Sequence, residues 1–282
     1  MPAVQETYSW DTSFLSSGKQ APNPQALIVL NQPFARATLL RLWSKCQWRI
    51  FADGGSNHVY DTFGQEERQQ RVYLPHHIKG DLDSIRPEVQ SWYEDHGVVA
   101  ERDRDQDSTD LMKSLAWVDD IEKETGSKLD VVILGGLSGR LDHTVHTMSL
   151  LHQLRNSRPR IFVVSGESVG WVLNQACTPN RVRFWCTLLT DFSTCLKGHH
   201  LLELDLRLVG PTCGLLPVGI TSTILTTTGL KWNLANTESS FDGLVSTSNS
   251  ILASTPSLGQ VEITTSEPIW WCAEYRVTAH QS

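Results

Sequence analysis

A chain of 282 residues is long for one hydrophobic core and suits two modest domains, and its 40 % hydrophobic and 20 % charged residues are those of an ordinary soluble globular protein. The formal net charge of -7 argues against a nucleic-acid partner, which needs a clustered basic excess. No apolar run approaches the roughly 20 residues that cross a bilayer; with a polar start from Met1 to Gln25 in place of a secretory signal, no membrane partner is expected and the expected compartment is the cytoplasm.

Residues 1–25 are expected to form a loosely ordered extension. From Ala26 to Leu173, short apolar runs alternate with amphipathic stretches, the pattern of an open, Rossmann-like α/β sheet domain. Strands are predicted at Ala26–Leu30, Trp48–Ala52, Val131–Leu134 and Arg160–Val164, with weaker ones around Val72–Leu74 and Val98–Ala100. Helices are predicted at Phe34–Cys46, Pro87–His96, Ser108–Glu124 and Asp142–Arg155. Residues 26–173 thus make an α/β domain whose ligand site is expected at the carboxyl edge of its sheet. Residues 174–197 read as an atypical inserted connection without clear periodicity. Residues 198–282 turn to short β-branched segments broken by Gly, Pro and Ser, the texture of a β-sandwich, with strands predicted at Leu201–Val209, Ser222–Thr228, Gly243–Ser248, Gln260–Thr264 and Ile269–Tyr275. The six cysteines include no C-x-x-C pair, so free thiols are expected rather than a zinc or redox centre.

Four clusters follow predicted strands of the first domain and project toward one sheet edge. Ala52-Asp53-Gly54-Gly55-Ser56-Asn57 reads equally as a tight turn or as a place where backbone approaches a ligand closely. Lys79-Gly80-Asp81-Leu82-Asp83-Ser84 sets two carboxylates where they can converge on a hard cation, although solvated loop aspartates explain it too. Asp103-Arg104-Asp105-Gln106-Asp107-Ser108-Thr109-Asp110-Leu111-Met112-Lys113 runs into a helix that Ser108 or Thr109 can cap, with Lys113 about one turn beyond Asp110. A capped helix leaves the four aspartates unexplained, since their mutual repulsion favours recruiting a cation. Leu134-Gly135-Gly136-Leu137-Ser138-Gly139-Arg140-Leu141-Asp142-His143 is a glycine loop entering a helix, which can offer backbone N–H groups and the Arg140 fork to phosphate. His143 and His146 read as helix-surface residues rather than metal ligands. Together the clusters describe a nucleotide-handling site and leave the acceptor open; a Mg²⁺-dependent phosphohydrolase or nucleotidyltransferase, or a silent binding protein, fits the same residues.

The ordered set A-D-G-G-S-N, K-G-D-L-D-S, D-Q-D-S-T-D-L-M-K and G-G-L-S-G-R-L-D-H resembles the catalytic domain of thiamine pyrophosphokinases. The stretches Gly210–Gly219, Thr226–Leu234 and Phe241–Asn249 resemble motifs of the family's second domain, closest to its eukaryotic, fungal branch. The resemblance implies an α/β catalytic domain followed by a thiamine-binding β-sandwich, working as a homodimer with active sites at the subunit interface. It implies transfer of diphosphate from ATP to the hydroxyl of thiamine, with Mg²⁺ as cofactor and AMP as leaving group. It casts Asp53, Asp81, Asp83 and Asp110 as catalytic, with Asp81, Asp83 and Asp110 on the metal and Asp81 or Asp110 as proton acceptor. Asp107, Lys113, Gly136, Arg140 and Asp142 would bind ATP and its phosphates, and Ser222 and Trp232 the thiamine. The inserted stretch around Ala176–Leu196 departs from the family pattern and reads as a retained intron or gene-model insertion in preference to a lineage-specific loop.

Overall fold

The computed structural model describes residues 7–16, 21–69, 73–175 and 197–277. Within them the chain divides into two compact units, one drawn from Ser13–Thr144 and Ile161–Glu167, the other from residues up to Thr12, Val145–Arg160 and Ser168–Arg276.

In the first unit, six strands run parallel: β2 (Gln25–Val29), β3 (Trp48–Ala52), β4 (His77–Gly80), β5 (Val99–Arg102), β6 (Asp130–Leu134) and β7 (Ile161–Val164), in the order β7-β6-β2-β3-β4-β5. Every residue of β2, β6 and β7 is buried, as uninterrupted apolar runs such as Gln25-Ala26-Leu27-Ile28-Val29 require when helices cover both faces of a sheet. The covering helices are α1 (Arg36–Lys45), α2 (Gly55–Thr62), α3 (Gln65–Gln69), α4 (Pro87–Asp95) and α5 (Asp110–Thr125), followed by α6 (Leu141–Leu154), which begins in this unit. Helix α4 starts on Pro87, whose missing N–H costs nothing in a first turn. Helix α5 is closed at both ends: the Thr109 hydroxyl accepts from Met112 N–H at 3.4 Å, and Gly126, at φ 67°, donates to the Glu122 carbonyl at 2.9 Å. Its buried Leu111, Leu115, Val118 and Ile121 make one apolar stripe, packed on β3 and β4. This docking fixes the first turn of α5, and Asp110 with it, beside the ends of those strands.

The second unit carries two sets of paired strands. One, in the order β1-β9-β15-β11-β12, comprises β1 (Thr7–Asp11), β9 (Gly198–Asp205), β15 (Leu258–Thr265), β11 (Thr223–Thr228) and β12 (Thr237–Ser239), with β14 (Ala253–Thr255) on β15. The other is antiparallel: β13 (Ser246–Ser250), β10 (Val209–Leu216), β16 (Ile269–Tyr275) and β8 (Ser168–Leu173). Strand β9 alternates strictly between buried and half-buried residues, the mark of a sheet covered on one face.

Four expectations need correction. Residues 7–16 of the expected extension are not loose, since Thr7–Asp11 pairs in parallel with His199–Glu203 and Trp10, Phe14 and Leu15 are buried. Its partner strand lies about 190 residues away, beyond the reach of any local pattern. The weak strand foreseen around Val72–Leu74 lies instead at His77–Gly80. The boundary foreseen after Leu173 also differs: β8 pairs with β16, Leu173 opposite Ile269, so Ser168–Leu173 belongs to the β-rich unit. Leu201–Val209 splits into the end of β9 and, after a turn, the first residue of β10. The proposed insert, Ala176–Leu196, lies outside the described residues together with Cys177, Cys186 and Cys195. The three described cysteines, Cys46, Cys213 and Cys272, are free.

Candidate active site

All four sequence clusters sit at the carboxyl ends of parallel strands of the first unit: β3 is followed by Asp53, β4 by Asp81, β5 by Asp103 and β6 by Gly135. A parallel sheet aims every strand's following loop at one edge, so residues far apart in sequence converge there.

The centre of the group is a trio of carboxylates. One oxygen from each of Asp53, Asp81 and Asp110 lies within 4.8 Å of the other two. Asp53 is buried, at 1 % exposure, and holds the left-handed conformation at φ 42°, a strained choice for a residue with a β-carbon. Its backbone N–H donates to the Lys79 carbonyl at 3.1 Å, while its two carboxylate oxygens accept from the Ser84 and Ile85 N–H groups at 3.0 Å each. The loop carrying Asp81 is thereby tied to the end of β3. Gly80 makes the approach possible: a β-carbon there would stand 2.6 Å from that of Asp53 and 3.0 Å from Asp110 Oδ1. Burial, then repulsion from Asp53 and Asp81, pushes the Asp110 carboxyl up to about 6. Burial likewise raises Asp53, against the two backbone hydrogen bonds that favour its charged form.

Lys113, 3 % exposed, donates from Nζ to the Asp103 carbonyl at 2.9 Å, and its positive charge acts on Asp110. Asp83 stands apart from the trio: it is exposed and accepts from the hydroxyl of Ser84 at 2.8 Å. The set foreseen as Asp81, Asp83 and Asp110 is therefore, in geometry, Asp53, Asp81 and Asp110, because the turn at Leu82 (φ 58°) carries Asp83 outward. Asp107 is exposed as well and donates its N–H to Asp105 Oδ1 at 2.9 Å.

At the end of β6, Gly135, Gly136 and Gly139 have φ of 100°, 85° and 79°, so the loop turns in a way that side chains resist. Arg140 and Asp142 are exposed and hold one another through Nη2–Oδ2 at 2.6 Å and Nε–Oδ1 at 3.1 Å. In the β-rich unit Ser222 is half-buried before β11, and Trp232 is 56 % exposed with the Lys231 ammonium 4.5 Å from its ring centre.

The two residues following Leu30 at the end of β2 escaped the sequence reading. Asn31 lies against Gly54 and Gln32 against Gly135 and Gly139, so both side chains belong to this edge. Their only signal was a polar pair between an apolar run and Pro33.

A family model described as the thiamin pyrophosphokinase catalytic domain matches residues 39–163, and one described as the thiamin pyrophosphokinase vitamin B1 binding domain matches residues 199–270. The chain belongs to the thiamine pyrophosphokinase family. A relative from Oryza sativa, thiamine pyrophosphokinase 3, is 38 % identical over 232 residues, covering 79 % of this chain and 78 % of its own. One from Saccharomyces cerevisiae, thiamine pyrophosphokinase, is 26 % identical over 269 residues, covering 79 % and 78 %, so these identities do not single out the fungal branch. The crystal structure of yeast thiamin pyrophosphokinase shares the fold with a TM-score of 0.76 at 22 % identity, over 98 % of this chain and 93 % of that one. The thiamine pyrophosphokinase catalytic match spans the carboxylate trio, Lys113 and the glycine loop, and the B1-binding match spans Ser222 and Trp232. Among the described residues no helix is long and apolar enough to cross a membrane.

Proposed function

We propose that this protein transfers a diphosphate from ATP to the hydroxyl of thiamine, yielding thiamine diphosphate and AMP. The observation that carries the reading is the pairing, in one chain, of matches to the thiamin pyrophosphokinase catalytic and vitamin B1 binding domains with three carboxylates gathered inside the catalytic match.

The trio fits Mg²⁺. It offers only hard oxygen donors, and the elevated Asp110 and Asp53 pKa values record repulsion and burial that a divalent cation would offset. Asp53, Asp81 and Asp110 would hold the ion, which when bound neutralises charge on the phosphate oxygens. Lys113 places a fixed positive charge beside the trio, and Arg140 adds a two-pronged donor once it exchanges the Asp142 carboxylate for phosphate. The hydroxyl proton of thiamine passes to an oxygen of this carboxylate group, with Asp81 or Asp110 as the acceptor.

Trp232 is the proposed stacking partner of thiamine, and Ser222 a second proposed thiamine contact. The half-exposed ring of Trp232 already accepts a cation, the Lys231 ammonium, and thiamine's thiazolium is also cationic. By resemblance to the family the working form is a homodimer with sites shared between subunits. Mixing Trp232→Ala with Asp81→Asn protein under verified subunit exchange should then restore activity, and no recovery would overturn that arrangement. Residence in the cytoplasm accords with the free thiols of Cys46, Cys213 and Cys272.

Purified protein given thiamine, ATP and Mg²⁺ tests the function. Thiamine diphosphate and AMP should appear in equal amounts. ADP with thiamine monophosphate, or phosphate released without thiamine, would overturn it.

A further inference from the structure

The sheet order places β2 between β6 and β3, and the chain changes direction there: β3, β4 and β5 are laid down on one side of β2, β6 and β7 on the other. The crevice at such a reversal is where open α/β sheets bind ligands. It is bounded by the Asp53 turn at the end of β3 and by the glycine loop at the end of β6. These flanking strands are separated by two strand spacings, about 10 Å. A ligand that engages both the carboxylate trio and the glycine loop must therefore pass over the end of β2.

What it meets there is Asn31 and Gln32. The Leu30 N–H still pairs with Leu134 across the sheet at 3.0 Å, and the Gln32 N–H then turns back to the Leu30 carbonyl at 2.8 Å, a three-residue turn that ends the strand abruptly. Asn31 leans to one side, so that a β-carbon at Gly54, next to Asp53, would overlap its amide. Gln32 leans to the other side: a β-carbon at Gly139 would overlap its amide, and one at Gly135 would stand 3.1 Å from its Cβ. Both flanking segments are glycine where these amides lie. Among the described residues neither side-chain amide has a hydrogen-bond partner. Asn31 is exposed and Gln32 half-buried, so the unused donors remain reachable from solvent. Both residues precede residue 39, where the catalytic family match begins.

We propose that Asn31 and Gln32 are polyphosphate-binding residues, their side-chain amides donating hydrogen bonds to the phosphates of the nucleotide where these cross from the carboxylate trio to the glycine loop. Neutral donors suit this place. They satisfy phosphate oxygens without pairing with the adjacent carboxylates, which a lysine or arginine would neutralise and so weaken as a cation site. The assignment rests on the nucleotide-dependent function proposed above and names its phosphate contacts.

The test compares wild type, Asn31→Ala, Gln32→Ala and Gln32→Glu as full-length proteins, each with its melting temperature checked. Calorimetry with magnesium pyrophosphate, and separately with adenosine, reads binding; steady-state assays read KM for ATP and for thiamine. Each alanine variant should lose roughly tenfold in pyrophosphate affinity and raise the KM for ATP similarly, the effect of one hydrogen bond to a charged group. Adenosine affinity and the KM for thiamine should stay as in wild type. Gln32→Glu, which keeps the shape and reverses the interaction, should lose more than Gln32→Ala. Pyrophosphate binding equal to wild type in folded alanine variants would overturn the proposal, as would a loss confined to adenosine, which would make these amides nucleoside contacts. If wild type makes no thiamine diphosphate yet the variants lose pyrophosphate affinity, the function fails and this assignment stands.

Discussion

Asp110→Asn should make the metal-free protein more stable while nearly abolishing its activity. The substitution keeps the shape of the side chain and its acceptor for the Asp81 N–H but removes one negative charge from a cluster whose oxygens lie within 4.8 Å of one another. A carboxyl that titrates at about 6 rather than 3.8 carries roughly 3 kcal/mol of penalty when ionised. Solvent screening of this half-buried group brings the recoverable part to about 1–2 kcal/mol. For an acid whose folded pKa is raised, the native state holds its proton more tightly than the unfolded chain. The penalty is therefore absent below about 3.8, grows as pH rises toward 6 and is complete above it. Thermal unfolding in EDTA should show the variant melting about 2–6 °C above wild type at pH 7.5, with a smaller gap at pH 4.5. Adding Mg²⁺ should raise the wild-type melting temperature and narrow the gap, because a cation bound only by the native state stabilises it. Diphosphate transfer should fall by two orders of magnitude or more, the scale of losing an electrostatic group at a reacting centre. A variant that melts lower than wild type in EDTA at pH 7.5, or a gap that does not change with pH, would refute the account of charge repulsion in the trio.

Trp232→Ala should raise the KM for thiamine with the KM for ATP unchanged, since a stacking partner of the acceptor makes no nucleotide contact; steady-state kinetics with each substrate varied in turn checks this. Gly55→Ala should destabilise the protein by about 1–3 kcal/mol, because a β-carbon there collides with the Val29 carbonyl oxygen. Gly64→Ala, whose β-carbon would find its nearest neighbour at 3.9 Å, should change stability by about 0.5 kcal/mol or less, and urea titration of both separates close packing from chain entropy. Buried His200 accepts at Nδ1 from Trp10 Nε1 at 3.0 Å and donates from Nε2 to the Asn174 carbonyl at 2.7 Å, and burial lowers its pKa to about 4. A depressed histidine stabilises fully above its unfolded value of 6.5, and the contribution is lost as pH falls toward 4. Relative to His200→Gln, wild type should lose up to about 3 kcal/mol between pH 7 and pH 4, and parallel stability curves for the two proteins would contradict it.

Sequence alone carried the parallel sheet unit, because buried strands such as Val131-Val132-Ile133-Leu134 announce themselves as apolar runs and helices such as α5 by a capping residue at their start, here Thr109. It also placed each aspartate cluster after a strand, which sufficed to send Asp53, Asp81 and Asp110 toward one edge. Which aspartates meet was not legible there. Asp81 and Asp83 are two residues apart, and only the left-handed Leu82, the anchoring of Ser84 and Ile85 on Asp53 and the bare backbone of Gly80 decide that one faces the trio and the other faces solvent. The same holds for β1, whose pairing with β9 depends on a partner nearly two hundred residues away, and for β8, whose antiparallel pairing with β16 depends on a segment about a hundred residues further along the chain. Local pattern records what a segment prefers to bury, whereas long-range pairing and the positions of side chains at a loop depend on where the rest of the chain has already packed. Asn31 and Gln32 are the clearest case: an unremarkable polar pair in the sequence, they come to lie against Gly54 on one side and Gly135 and Gly139 on the other only because β2 is folded between β3 and β6.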